Sequence, residues 1–397
     1  MTIPLVQSIT LRRFRSLRDT VVEFDNPTFL VGPNGAGKSN FVDAFAFLAE
    51  AMVSPLPAVF DRRGGVATVT HRTSNRGRRP GLGMRVDLKD LDETTEGASY
   101  AFELRAVKDH GFKVIQEQCV VMRKDGSKDW FVRYEQGFKS SRRSLDPEPM
   151  ENALILPLVG GDRRFRAVHQ YLAEMAVYRI DPAVLHEMQD PDDGARLRPD
   201  GRNAASVLRE IWGRSEEDGE RICEILAAIV PHTVEVKPKR QGNKLALELV
   251  QDWGKSEPVK LEAFGMSDGT LRALGLLVAA FQQPAPSVLV IEEPEATMHP
   301  AALGAVLDLL RHAGRFTQVI VTTHSPEALD AKWIGNKHLR VVTWDAGASR
   351  VAPVSAATRE TLRKQLAGAG DLLRSNALTA AKPSPSSEQA PLFQGLA

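Results

Sequence analysis

The chain has 397 residues, of which 25% are charged and 43% apolar, and a formal net charge of +1. This is an ordinary globular balance with enough length for a large core in two or three lobes, and it excludes a molecule drawn to nucleic acid by its overall charge. Two unaccompanied cysteines, Cys119 and Cys223, exclude a disulfide framework and a thiolate zinc site, and no apolar run is long enough to span a bilayer. Nothing resembles a signal peptide, so the expectation is a cytoplasmic protein with no membrane partner.

Residues 3 to 11 alternate loosely, and Val21 to Phe24 form a second short apolar run. Both are predicted strands around a basic turn, Arg12-Arg13-Phe14-Arg15. Pro27 to Val31 is the next predicted strand. It runs into Gly32-Pro-Asn-Gly-Ala-Gly-Lys-Ser39, which matches the P-loop pattern at every position. A phosphate needs several converging N–H donors and a cation beside it. Glycines let the backbone curl close enough to supply the donors, Lys38 can reach the outer phosphates, and the Ser39 hydroxyl can ligate Mg²⁺. Phe41, Ala44, Phe45 and Leu48 then give helical spacing, so a helix N-terminus adds its positive end. That helix should end near Ser54-Pro55.

Residues 61 to 83 are rich in Gly and Arg. Segments 84–90, 99–108, 112–123 and 129–134 read as strands of an antiparallel sheet inserted after the first helix, followed by a polar loop over 136–150. Helices are predicted over 165–175, 204–212 and 217–229, with a strand at 176–180 entering Asp181-Pro182. Val234–Lys237 and Lys244–Val250 form a predicted hairpin around Gly242-Asn243. Leu271 to Phe281 is a helix, and 339–344 and 350–354 are expected as edge strands. After Ser375 the composition turns to Ala, Ser, Pro and Gln, which predicts disorder. Sustained heptads are absent, so no long coiled coil is expected.

Val288-Leu-Val-Ile291 is an apolar strand that delivers two carboxylates, Glu292 and Glu293, at its C-terminal end, where α/β sheets place their sites. Glu292 can hold Mg²⁺ through water, and Glu293 can orient or deprotonate an attacking water, as phosphoryl transfer to water requires. Val319 to Thr323 is built the same way and ends in His324, which could donate to a γ-phosphate or hold the water. Phe264-Gly-Met-Ser-Asp-Gly-Thr270 precedes a helix. Ser267 or Asp268 can simply cap that helix, or the segment can be a second phosphate-binding surface. The chain already has a P-loop for the same phosphate. The second surface can therefore share one ATP with it only from another subunit, which implies a head-to-tail homodimer with ATP at the interface.

In their order these motifs resemble the ABC-type ATPases of the SMC, Rad50 and RecF group. More closely they are similar to stand-alone AAA15/AAA21-type ATPases related to the overcoming-lysogenization-defect proteins. The resemblance rests on Arg12 to Arg15, Gly32 to Ser39, the signature Met266 to Arg272, Walker B through Glu293, the D-loop-like Glu295 to Pro300, and Thr323-His324-Ser325-Pro326. It implies an α/β P-loop NTPase with an ABC-type nucleotide-binding domain, a mixed central sheet, an inserted antiparallel sheet and a helical subdomain. The N-terminal part of the ATPase lobe would span 1–55, the inserted sheet and helix 56–175, and a helical and hairpin subdomain 176–262. The C-terminal part of the lobe would span 263–355, a C-terminal helix 356–375, and a disordered tail 376–397. ATP would be bound by Asn34, Gly35, Gly37, Lys38, Ser39 and Asn40, with Ser267 and Gly269 reaching the γ-phosphate held by the partner subunit. Mg²⁺ would be held by Ser39 and Glu292. Glu293 would be the catalytic carboxylate and His324 the switch residue. A Q-loop glutamine is not identifiable, since Gln116 and Gln118 fall in the predicted inserted sheet.

The overcoming-lysogenization-defect proteins carry a Toprim nuclease after the ATPase. Only about 70 residues follow Ser325 here, without a clustered acidic site. The resemblance therefore implies an ATP-hydrolysing dimeric switch of an antiphage defence or toxin–antitoxin-like system, sensing DNA or a phage component and controlling a separate effector protein. The alternative is a RecF/Rad50-like DNA repair ATPase. Non-specific DNA contact would run through Arg12, Arg13, Arg15 and the Arg62–Arg79 region, for which a solvated charge run is the competing reading.

Overall fold

The computed structural model describes residues 3–71, 81–107, 111–141, 145, 147–254, 257–382 and 391–395, with the side chain of residue 301 left aside. In chain order, β1 (Leu5–Phe14) and β2 (Leu17–Glu23) form a hairpin, and β3 (Thr28–Val31) leads into α1 (Lys38–Val53). Short helices α2 (Leu56–Asp61) and α3 (Val66–Val69) precede the meander β4 (Gly81–Lys89), β5 (Thr95–Ala106), β6 (Phe112–Arg123), β7 (Lys128–Tyr134) and β8 (Gly137–Ser140). Then come α4 (Leu156–Val159), α5 (Arg166–Ala173), β9 (Ala176–Tyr178), α6 (Pro182–Leu185), α7 (Ala204–Arg214) and α8 (Glu216–Ile229). β10 (Thr233–Gln241), β11 (Lys244–Gln251) and β12 (Val259–Glu262) precede α9 (Asp268–Phe281), β13 (Val288–Glu292), α10 (Pro300–Ala313) and β14 (Gln318–Thr323). β15 (Leu339–Asp345), β16 (Ala348–Pro353), α11 (Ala356–Arg363) and α12 (Ala369–Arg374) complete the order.

The chain divides into two compact units. The first holds residues 1–175, 336–363 and 378–397. Its strands run in the order β8-β7-β6-β5-β4-β1-β2-β16-β15-β3. β3 pairs parallel with β15 and β16 parallel with β2, while the other neighbours are antiparallel, so the sheet is mixed. Helix α1 lays Phe41, Phe45, Phe47, Leu48 and Met52 into the core, all fully or nearly buried. Phe47 meets Phe14 edge-on at 5.8 Å and Phe60 at 5.3 Å, and Phe60 meets Phe112 at 4.6 Å. Such aromatic pairs add to the burial term that holds helix to sheet.

The second unit holds residues 176–335 and 364–377. Its β14-β13-β9 strands are parallel, with Glu292 level with Thr322. β13 and β14 read as nearly continuous apolar runs because both faces are buried. A separate antiparallel sheet, β10-β11-β12, packs with α7 and α8 as a helical subdomain. There the Trp212 indole N–H donates to the Val236 carbonyl at 3.0 Å. Helix α9 buries Leu271, Ala273, Leu274, Leu277 and Val278.

Several expectations need correction. The basic turn is shorter than predicted: Arg12, Arg13 and Phe14 belong to β1, and only Arg15 and Ser16 turn. Arg13 and Arg15 both have positive φ, 54° and 49°, which bends the strand end. The inserted strands are antiparallel as expected, and β4 pairs with β1 along seven residue pairs, so they continue the lobe's own sheet. The polar loop over 136–150 contains β8. β15 and β16 are interior rather than edge strands, since each has neighbours on both sides. The single C-terminal helix is two, α11 and α12. The tail expected to be disordered is held at its described residues: Ala380 bridges to Val354 and Leu392 is 2% exposed.

Candidate functional site

In the first unit, Thr28, Phe29, Leu30 and Val31 are wholly buried, and the chain leaves β3 at Gly32. Pro33, Asn34, Gly35 and Ser39 are exposed, while Lys38 is 5% exposed. The Lys38 ammonium donates to the Gly32 carbonyl at 2.8 Å and to the Pro33 carbonyl at 3.2 Å, so it sits within the curl of its own loop. Helix α1 has no side chain capping its first turn. The loop thus presents a helix N-terminus and a buried cation together, the combination that recognises phosphate. Gly37 has φ of 102°, and a Cβ there would lie 1.9 Å from the Ser349 hydroxyl. Glycine is required on both counts. Asn40 donates to the Ser16 hydroxyl at 2.8 Å, and Ser349 donates to the same hydroxyl at 2.7 Å.

In the second unit, β13 and β14 end side by side. Glu293 lies just past β13 in a left-handed conformation, φ 46°, rare for a residue with a side chain. Its N–H donates to the Thr322 carbonyl at 3.0 Å and lies 3.2 Å from the Thr322 hydroxyl, which over-determines the turn. The His324 Nδ1 is 3.3 Å from the Glu293 carboxylate and 3.6 Å from that of Glu295.

Glu295 was not among the site residues expected from sequence. Its side chain is 8% exposed. One carboxylate oxygen accepts from the Thr323 hydroxyl at 2.7 Å and from the His324 N–H at 3.1 Å. Glu295 therefore fixes the backbone that carries His324. The only sequence signal for it is a third acid placed just beyond the pair 292–293, across a proline. Glu295→Ala is expected to lower ATP turnover about 10- to 100-fold with little change in KM, because His324 loses its backbone anchor. Glu295→Gln keeps an acceptor and should retain most of the rate. Steady-state hydrolysis of both variants checks this, and equal loss in both would refute the anchoring role.

Also in the second unit, Ser267 caps α9: its hydroxyl accepts from the Thr270 N–H at 3.2 Å. Ser267 and Asp268 remain exposed, and neighbouring Phe264 is 77% exposed. Gly269 is pressed against the segment after Walker B, where a Cβ would lie 2.7 Å from the Thr297 carbonyl. His186, also missed from sequence, has Nδ1 2.9 Å from the Ala263 carbonyl and Nε2 3.0 Å from the Asp268 carboxylate. It ties the segment before α9 to the first residue of that helix. Arg272 on α9 directs Nη1 toward the Glu293 carbonyl at 3.5 Å, and burial pulls its basicity below the usual range.

The described basic residues considered for DNA each have an acidic neighbour. Arg13 pairs with Glu103 at 3.3 Å and Arg15 with Asp43 at 2.6 Å, while Arg12 is 4.0 Å from Asp19. Arg62 and Arg63 pair with Glu50, and Arg63 also with Asp43. Arg72, Arg76, Arg78 and Arg79 lie outside the described residues.

A family described as "AAA domain, putative AbiEii toxin, Type IV TA system" (AAA_21) matches residues 28–145 and 182–330, more than half of the chain. The chain belongs to this family. The matched residues include the P-loop, the signature segment, both Walker B glutamates and His324. This AAA_21 member is therefore an ATPase. No curated protein matches it. Among solved structures it is similar to an SMC head bound to the C-winged helix domain of ScpA, at 16% identity and a TM-score of 0.56, covering 88% of this chain and 98% of that one. It is likewise similar to the SMC head domain with an extended coiled coil bound to the C-terminal domain of ScpA, from Pyrococcus furiosus, at 14% identity and a TM-score of 0.56. That match covers 92% of this chain and 100% of that one. These likenesses show a shared fold, that of an ABC-type head. Among the described residues no helix is long and apolar enough to cross a membrane.

Proposed function

We propose that this AAA_21 ATPase is a nucleotide-driven switch that closes as a homodimer and hands its state to a separate effector protein. ATP is its substrate. Asn34, Gly35, Gly37, Lys38, Ser39 and Asn40 bind the phosphates from one subunit, and Ser267 and Gly269 approach the γ-phosphate from the other. In this reading the Ser39 hydroxyl and the Glu292 carboxylate are the donors to Mg²⁺, each a hard oxygen of the kind that ion takes alongside phosphate oxygens. When bound, it would neutralise charge developing on the phosphates. Glu293 orients the attacking water and accepts its proton, and His324, beside Glu293, holds the γ-phosphate side of that arrangement.

The observation that carries this reading is the exposed N-terminus of α9. Ser267 is exposed at the N-terminus of α9, which its own hydroxyl caps, and Phe264 is exposed beside it. An outward aromatic next to a helix end suited to anions fits a surface completed by a second copy. Ser267→Arg is expected to leave ATP binding to the single chain intact and to abolish dimer closure. Light scattering with ATP checks this, and undiminished closure would refute the shared site.

The family's description supports a toxin–antitoxin-like setting, and the compartment of the proposed switch is the cytoplasm. The SMC head bound to part of ScpA shows one such head engaging a second protein. Affinity purification from the native host, analysed for bound protein and nucleic acid, identifies the effector. A DNA trigger held through Arg12, Arg13 and Arg15 would have to displace Asp19, Glu103 and Asp43, so binding that is weak and falls steeply with salt is the form it would take. A replication or recombination protein recovered as the partner would favour the DNA-repair alternative.

A further inference from the structure

Side chains alternate across a strand, so Met84, Phe102 and Glu117 lie on one face of the meander and Gly83, Arg85, Ala101 and Gln118 on the other. The register places Arg85 opposite Ala101 and Ala101 opposite Gln118. This second face is hollow where Gly83 has no side chain and Ala101 has only a methyl. Leu392 fills the hollow. A Cβ on Gly83 would lie 2.4 Å from the Leu392 Cδ1. Gly83 does not have a left-handed backbone, so what its missing side chain provides is room.

Polar atoms hold the backbone on both sides of Leu392. The Arg85 Nη1 donates to the Pro391 carbonyl at 3.0 Å. The Gln118 amide closes a two-way bridge with the Gln394 backbone, donating to its carbonyl at 2.9 Å and accepting from its N–H at 2.8 Å. Gln118 is 2% exposed, so this bridge is built into the sheet. One side-chain seat with main-chain hydrogen bonds around it is how a peptide receptor reads its ligand. The preceding anchor is the bridge between Val354 and Ala380, with Arg350 donating to the Ala381 carbonyl. Residues 383–390 connect the two anchors.

We propose that the Gly83–Arg85–Gln118 seat is a peptide-binding site, and that the chain's own Pro391–Gly395 segment is its separable, tethered ligand rather than a permanent part of the core. The site takes a bent peptide with a leucine, a carbonyl one residue before it and a backbone N–H and C=O two residues after it. The seat uses none of the nucleotide residues, so it stands or falls independently of the switch reading.

The test uses the full chain with a protease site placed within 383–390, and a fluorescent peptide of residues 388–397 as probe. A short tether holds its ligand at an effective concentration of about millimolar. The uncut chain is therefore expected to ignore micromolar probe, and the cut chain to bind it saturably by anisotropy. Gly83→Leu or Gln118→Ala should weaken binding at least about tenfold. A probe carrying Leu392→Asp should not bind at all, an arm that does not depend on how the sheet variants fold. Cut protein that never exchanges its segment, or that loses its fold on cutting, would overturn the proposal. So would equal binding of the Leu392→Asp probe.

Discussion

Glu293→Gln is expected to bind ATP as the parent does, to hydrolyse it about 10²- to 10⁴-fold more slowly, and to accumulate as the closed dimer. The magnitude is that of removing a positioned general base. The amide keeps the size of the carboxylate and removes its charge, so repulsion of the phosphates falls while proton acceptance is lost. The residue's left-handed turn is set by its N–H bonds to Thr322, which glutamine also makes, so the backbone should hold. Single-turnover hydrolysis with a parallel nucleotide-binding titration separates the two effects. A normal hydrolytic rate in Glu293→Gln would remove Glu293 from the catalytic role and leave Glu292 or Glu295 to explain the chemistry.

The second large effect concerns stability. Glu117 lies inside the meander's packed face, fully buried, beneath the start of α4. Its carboxylate accepts from the Ile155 N–H at 2.6 Å, the Leu156 N–H at 2.9 Å and the Tyr100 hydroxyl at 2.9 Å. Burial pushes its pKa from 4.5 up to about 7, although these donors and Arg133 pull the other way. Glu117→Ala strands two N–H groups and a hydroxyl in the core. The expected loss is about 3–5 kcal/mol, read as a fall in the urea midpoint. Because the folded pKa is above the unfolded one, the folded protein holds this proton more tightly. That contribution is fully present below about pH 4.5 and is lost as the pH rises through about 7. The gap in pKa corresponds to about 3 kcal/mol. The parent's advantage over a Glu117→Leu variant should therefore shrink between pH 5 and pH 8. A constant difference across that range would show that Glu117 does not titrate there.

The parts of this fold that depend on local sequence were legible in advance. The P-loop, α1, the buried strands β13 and β14 and the helix after Ser267 each carry an apolar period and a stop signal within a few residues. Pairing was not legible. Nothing in 84–90 announces that it will add to β1, because register is set by partners far away in the chain. β15 and β16 were expected as edge strands. Their interior position follows from parallel pairing with β3 and β2, which leaves no local mark. At residues 391–395 the tail was misjudged because composition averages over residues, whereas Leu392 beside Gly83 and the hydrogen bonds from Arg85 and Gln118 hold that segment. At the candidate site, the strand-end positions of Glu292, Glu293 and His324 were readable. The anchoring of His324 by Glu295 and the bridge from His186 to Asp268 were not, since each joins residues about 30 or more apart.

One joint in the first unit's sheet has a mechanical meaning. Ten strands from β8 to β3 lie side by side in the first unit, and the phosphate loop follows β3. Nearly every seam between them is stitched by several residue pairs. The seam between β2 and β16 has a register of one pair, Ser349 with Leu17. The same Ser349 blocks any side chain at Gly37 and shares the Ser16 hydroxyl with Asn40. The seam with this single register pair is thus tied directly to the loop that would grip phosphate. A shift of the loop at Gly37 or Asn40 would therefore be met at that seam, by Ser349 and Ser16.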